Sequence, residues 1–180
     1  MERYSNAHNL VLSILPVSLL FYYMYLYTLK FKLDYLTGAY TRAYLELDIC
    51  KIKSRSRTGI IVTDIDDLKS INDVFGHIRG DSVIHDVGAC IQRILPKHAK
   101  LYRVGGDEFV ILLKRSNYSK LKNLSQNIKS EVKNAGYSIS VGYTLYDDNY
   151  EGIKDAIKEA DREMYNDKAN RIHSNEGENA

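Results

Sequence analysis

Carboxylates gather in two stretches of this 180-residue chain. Asp64 ends a β-branched run, "GIIVTD", and Asp66 and Asp67 follow at once. Lys69, Asn72, Asp73, His77 and Asp81 come next. The second stretch is "LYRVGGDEFVILL", where Asp107 and Glu108 follow Gly105 and Gly106 between two strand-like runs. Carboxylates brought together at strand ends form a set of hard oxygen donors, suited to Mg²⁺ or Mn²⁺. Such close like charges repel, and a divalent ion relieves the repulsion. Magnesium held by one or two carboxylates completes its shell with water and substrate phosphates, so nucleotide chemistry is the expectation. The plainer reading makes Asp66 and Asp67 caps of the next helix, and Asp107 and Glu108 turn residues. The two stretches together favour a site, with a Gly-Gly turn that gives phosphate access to backbone. That turn is expected to be a tight hairpin using positive φ at glycine.

Periodicity indicates the elements that must carry these residues. Thr41 to Ser54 reads as a helix with Leu45, Ile49 and Ile52 on one face. Gly59 to Asp64 reads as a buried strand, and helices follow over Leu68–Phe75 and Asp81–Leu95, the second stopped by Pro96. After the Gly-Gly hairpin come a helix over Tyr118–Asn134, a strand over Tyr137–Leu145 and a helix over Glu151–Asn170. The lysines of the Tyr118–Asn134 helix form a solvated face. Residues 172–180 are polar and expected to be disordered. This order predicts an α+β fold, a mostly antiparallel sheet with helices on its faces.

Composition excludes some classes. Net charge is +2, far from the basic balance of a nucleic-acid binder, and no nucleic-acid partner is expected. Cys50 and Cys90 lack neighbours at metal-ligand spacing. Residues 4–29 contain no Asp, Glu, Lys or Arg. The twenty residues Leu10–Leu29 could span the roughly 30 Å core of a bilayer as a helix, with "YYMYLY" as an aromatic belt. Lys30 and Lys32 then place the following domain in the cytoplasm, on a single-pass protein of the inner membrane. The competing reading is an amphipathic dimerisation helix, against which Pro16 and the all-round apolar character count.

Five ordered motifs resemble the GGDEF domain family of diguanylate cyclases. They are "DYLTGAYTR" from Asp34, "DIDDLKSINDVFGHIRGD" from Asp64, "RVGGDEF" from Arg103, "SISVGYT" from Ser138 and "EADREMYNDK" from Glu159. The likeness covers residues 34–171, leaving 1–33 as an N-terminal segment. It implies a fold like that of polymerase palm and nucleotide cyclase domains. It also implies condensation of two GTP into cyclic di-GMP and two pyrophosphates by a homodimer, in bacterial second-messenger signalling. Carried over by position, Asp64, Asp107, Glu108 and the Ile65 carbonyl would hold Mg²⁺ or Mn²⁺. Asp107 or Glu108 would be the catalytic base. Gly105 and Gly106 would admit phosphate, Asn72 and Asp81 would read guanine, and Lys69, Lys168 and Arg171 would bind phosphate. His77 falls among the substrate-binding positions as a buried hydrogen-bonding residue, and Arg103 is either a hairpin brace or a functional residue. Lys168 and Arg171 are three apart where the family usually shows four, which weakens the phosphate role of Arg171. Pro96 and Ala99 stand where many members carry an Arg-x-x-Asp product-inhibition pair, so feedback at that site is expected to be absent. The alternative is an inactive domain that binds GTP or cyclic di-GMP or docks a partner.

Overall fold

The computed structural model describes residues 2–53 and 57–177, with side chains over 14–28, 31–53 and 57–171. The helix α1 (Glu2–Lys32) leads into a two-residue strand β1 (Tyr40–Thr41) and α2 (Arg42–Ile49). Then come β2 (Thr58–Ile65), α3 (Leu68–Phe75), α4 (His77–Ile94) and the hairpin β3 (Ala99–Arg103) and β4 (Glu108–Leu113). The chain ends with α5 (Tyr118–Asn134), β5 (Ile139–Tyr146) and α6 (Ile153–Gly177). The sheet order is β1-β3-β4-β2-β5, with every pairing antiparallel except the parallel β1–β3.

β2 is the spine because its run of Ile, Val and Thr suits a strand buried on both faces, and every residue of it is buried. Side chains alternate across a strand, so β2 serves two cores. Ile61 and Ile65 pack with Ile111, Val83, Val87, Leu121 and Ile128 under α4 and α5. Ile60 and Val62 pack with Val110, Leu112, Leu45, Ala160 and Met164 under α2 and α6. The same parity puts Asp64 and Glu108 on the α6 face. The two are direct cross-strand partners, with Ser140 of β5 on the other side of Asp64.

Gly142 sets how close α6 comes. A Cβ there would lie 2.0 Å from the Ala160 carbonyl oxygen and 2.1 Å from the Met164 nitrogen, so helix and strand meet at backbone contact. Asp167 then caps the strand, its carboxylate accepting the Val141 N–H at 2.8 Å. Lys168, the next residue, is thereby fixed beside the sheet.

α1 is joined firmly to the domain. The Thr41 hydroxyl donates to the Phe31 carbonyl at 2.7 Å, and Leu33 bridges Tyr40. The Lys32 ammonium lies 5.4 and 5.2 Å from the Tyr40 and Tyr44 ring centroids, a cation–π arrangement.

Several expectations are corrected. No helix among the described residues is long and apolar enough to cross a membrane, which removes the transmembrane segment and the single-pass inner-membrane placement. Freedom from charge is not apolarity. Eight of the twenty residues in 10–29 are Ser, Thr, Pro or Tyr, and the tyrosines taken for an interfacial belt occupy the span itself. The helix expected over 41–54 closes at Ile49, and Ser54 lies outside the described residues. α4 begins at His77, not Asp81, because Gly76 at φ 82° turns the chain straight out of α3. α6 continues through Gly177 where disorder was expected, while 178–180 lie outside the described residues.

Candidate functional site

The acidic residues meet at one end of the sheet. The backbone N–H of Ile65, the last residue of β2, donates to the Asp107 carbonyl at 3.1 Å, which ties the end of β2 to the hairpin turn. The Val104 N–H donates to the Glu108 carbonyl at 3.0 Å and closes that turn. Neither Gly105 nor Gly106 takes a positive φ, contrary to expectation. Space explains Gly105 instead. A Cβ there would meet the Glu108 Oε2 at 2.6 Å, whereas one on Gly106 would meet open space. Gly105 lets the Glu108 carboxylate fold against the turn.

Burial is the largest influence on Asp64 and raises its carboxyl above the ordinary range, with Asp107 and Asp66 adding to the rise and Lys168 opposing it. Burial also raises the Glu108 carboxyl, followed by the charges of Asp107, Asp64 and Asp161, while Arg42 opposes. The Lys168 ammonium stands 2.5 Å from the Asp64 Oδ1. Burial disfavours its charge, but the hydrogen bond and charge of Asp64 outweigh that and raise its pKa.

Asp66 and Asp67 are not helix caps. Asp67 occupies the cap position of α3 at φ 57°, yet its side chain makes no capping bond. Asp66 is 3% exposed and accepts hydroxyl bonds from Ser138 and Ser140, both at 2.6 Å. Arg171 lies 3.1 Å from the Oδ2 of Asp66 and 3.1 Å from that of Asp67. The guanidinium is thus held by carboxylates in this structure. Sequence reasoning missed this arrangement, whose signal is the alternation Ser138-Ile139-Ser140 beside a buried aspartate.

Asn72 meets Gly80, the residue before Asp81, across the α3–α4 bend. Gly80 makes room for the Asn72 side chain, since a Cβ there would lie 1.9 Å from the Asn72 Oδ1. That oxygen is buried without a hydrogen-bond partner. An unpaired buried acceptor is costly, and a ligand N–H would relieve it. Lys69, Asp81 and His77 are exposed. The burial expected of His77 fails because α4 starts at that residue and its first turn faces outward.

Among the described residues, no group of three or more His, Cys, Asp or Glu could hold a metal ion on its own. The donor set still fits Mg²⁺, which binds through one or two carboxylates and takes its other ligands from water and phosphate. The two neighbouring carboxyls, raised by burial and mutual repulsion, are the feature that such an ion would relieve.

Fold and site together define a palm-like α+β domain whose sheet end gathers acidic side chains around a glycine turn. The profile described as "Diguanylate cyclase, GGDEF domain" matches residues 31–174. The chain belongs to the GGDEF domain family.

An uncharacterized membrane protein of Staphylococcus aureus strain USA300 is 29% identical over 147 residues, covering 72% of this chain and 41% of that protein. The chain spans about two fifths of the length of the curated relatives it matches. The coiled coil and GGDEF domain of DgcB from Caulobacter crescentus, solved with c-di-GMP, superposes with TM-score 0.85 at 23% identity. The match covers 92% of this chain and 95% of that one. A microbial GGDEF domain solved with cyclic di-GMP is 28% identical, with TM-score 0.66, covering 78% and 94% of the two chains.

Proposed function

We propose that this chain is a diguanylate cyclase, condensing two GTP into cyclic di-GMP with release of two pyrophosphates. The observation that carries the reading is the pairing of Asp64 with Glu108 across β2 and β4, next to Asp107 in the glycine turn. A receptor that only held a nucleotide would not need three carboxylates facing its phosphates.

In each of the two steps, the 3′-oxygen of one GTP attacks the α-phosphorus of the other. A P–O bond forms, the bond to pyrophosphate breaks, and the hydroxyl proton leaves to a carboxylate. Glu108 suits that proton, since a base works best with a pKa drawn up toward the working pH. Magnesium or manganese would be held by Asp64 and one carboxylate of the Asp107 and Glu108 pair, with the Ile65 carbonyl, water and phosphate completing the shell, and would neutralise phosphate charge and acidify the 3′-hydroxyl. Gly105 and Gly106 leave the turn open for phosphate. Lys168 exchanges its bond to Asp64 for phosphate oxygens when nucleotide enters, while Lys69 supplies a second ammonium. Arg171 serves the site mainly by holding Asp66 and Asp67. The Asn72 oxygen accepts from guanine, and Asp81 accepts from guanine N1–H and the 2-amino group.

The second GTP comes from a second copy of the chain. α1 exposes Ile14, Leu15, Leu19, Leu20, Phe21 and Leu26, apolar surface that a partner helix would cover. The likeness to a chain comprising a coiled coil and a GGDEF domain supports that use of α1.

The test is incubation of the purified dimer with GTP and Mg²⁺ followed by product analysis. Cyclic di-GMP and pyrophosphate are expected. Binding of GTP without turnover would replace this reading with that of a nucleotide-holding or partner-docking domain.

A further inference from the structure

A second pocket lies at the opposite end of the sheet. It has a volume of about 610 Å³ and opens between α2, the start of β3 and the end of β4. Asp64 and Glu108 sit at the far ends of β2 and β4, about 20 Å away at 3.3 Å per strand residue. The pocket belongs to the α2 and α6 face, since its floor includes Ile52, Tyr102 and Leu112.

Its charge is lopsided. Lys51, Lys53, Lys97, Lys100, Lys114 and Arg115 line it together with a single carboxylate, Asp48. Asp48 is already saturated. It accepts from Lys100 at 2.6 Å and from the Tyr102 hydroxyl at 2.8 Å, with Lys51 at 3.5 Å. Lys97, Lys114 and Arg115 have no carboxylate partner among the described residues. Arg115 is held at φ 54°, a left-handed conformation that is unfavourable for an L-residue. Cations crowded in a concave site raise one another's energy, and a bound anion reverses that.

We propose that this pocket binds a small polyphosphate ligand, one carrying two or three linked phosphate groups. The pocket is of a size that holds small ligands. Three uncompensated cations call for about three negative charges, more than a single carboxylate (−1) or a monophosphate ester (about −1.5 to −2) supplies. The apolar floor of Ile52, Tyr102 and Leu112 can take the body of a nucleotide, so the ligand is either inorganic polyphosphate or a nucleoside polyphosphate. The proposal does not depend on turnover at Asp64 and Glu108.

Isothermal titration of the full chain with tripolyphosphate, and separately with ATP, in EDTA to remove divalent metal, tests it. Saturable binding is expected for both, weakened about tenfold or more in the double variant Lys97→Gln/Lys114→Gln. Both lysines are exposed, so the variant keeps its circular dichroism spectrum. Its GTP turnover stays within about twofold of the parent, because the sites are distant. Equal affinity for the two probes assigns inorganic polyphosphate, and tighter ATP assigns a nucleotide. The proposal is overturned if neither probe saturates, if the variant binds both as well as the parent, or if a poly-glutamate peptide binds in their place.

Discussion

Arg103 holds Asp34 and the glycine turn at once. One guanidinium nitrogen lies 3.1 and 3.3 Å from the two Asp34 carboxylate oxygens, and the other donates to the Gly106 carbonyl at 2.8 Å. The two residues are 69 positions apart. Asp34 is itself fixed by the Thr37 hydroxyl at 2.7 Å and the Thr37 N–H at 3.0 Å. The segment that leaves α1 is therefore tied to the carbonyl just before Asp107. Arg103→Ala should lower stability by about 1–3 kcal/mol, because a partly buried carboxylate loses its charged partner. It should also reduce cyclic di-GMP formation, while Arg103→Lys recovers part of the stability and less of the rate. Denaturant unfolding together with product assays checks both.

Glu108→Gln keeps the shape and removes the base. Turnover should fall about 10²–10⁴-fold with the unfolding midpoint unchanged or raised, since the variant relieves repulsion with Asp107 and Asp64. Asp107→Ala should likewise abolish product while the fold persists. Unchanged product formation in either variant refutes its assigned role.

Gly142→Ala pushes α6 off the sheet. The added methyl collides with backbone atoms of α6, which cannot rotate away, so a loss of about 1–3 kcal/mol or more is expected. Because α6 carries Lys168, the KM for GTP should rise as well. Thermal unfolding and steady-state kinetics measure the two effects.

Acid should weaken the fold through Asp34 and Asp48. Burial opposes ionisation of Asp34, but Thr37 and Arg103 outweigh it and hold its pKa below the ordinary 3.8. Burial opposes ionisation of Asp48 too, and Lys100, Tyr102 and Lys51 outweigh it. A carboxyl with a depressed folded pKa contributes stability that is complete above the unfolded value and is lost as pH falls through the folded one. Stability should therefore drop below pH 3.8, and Asp34→Asn should flatten that drop. Urea unfolding between pH 6 and pH 2.5, about the span that brackets both states, reads it out.

Product should inhibit little. Pro96 and Ala99 carry no charge where an Arg-x-x-Asp pair would grip cyclic di-GMP. Initial rates with added cyclic di-GMP should stay near those without it, and strong inhibition at low concentration would reveal another site.

The strands and most helices were legible because burial imposes a period that residue types display directly. The glycine turn was legible as a motif, but its physics was not. Gly105 looks like a residue chosen for φ, whereas its lack of a side chain makes room for the Glu108 carboxylate, a contact invisible before folding. Asp66 and Asp67 looked like caps because cap preference is local, while their actual partners come from β5 and α6. His77 was misjudged because a glycine bend started α4 one turn early. The N-terminal segment misled for a different reason. Charge is absent there, but tyrosine hydroxyls keep it from being uniformly oily.

The joint at Thr41, Leu33 and Lys32 has a mechanical consequence. A flexible hinge would let α1 twist while the domain stayed put. Here the end of the helix is bonded to the strand edge, and Asp34 continues that linkage through Arg103 to the turn. Torque applied along α1 is delivered to the domain as reorientation, with little lost as slack. In a pair of such chains, turning one helix would turn its own acidic strand ends with it.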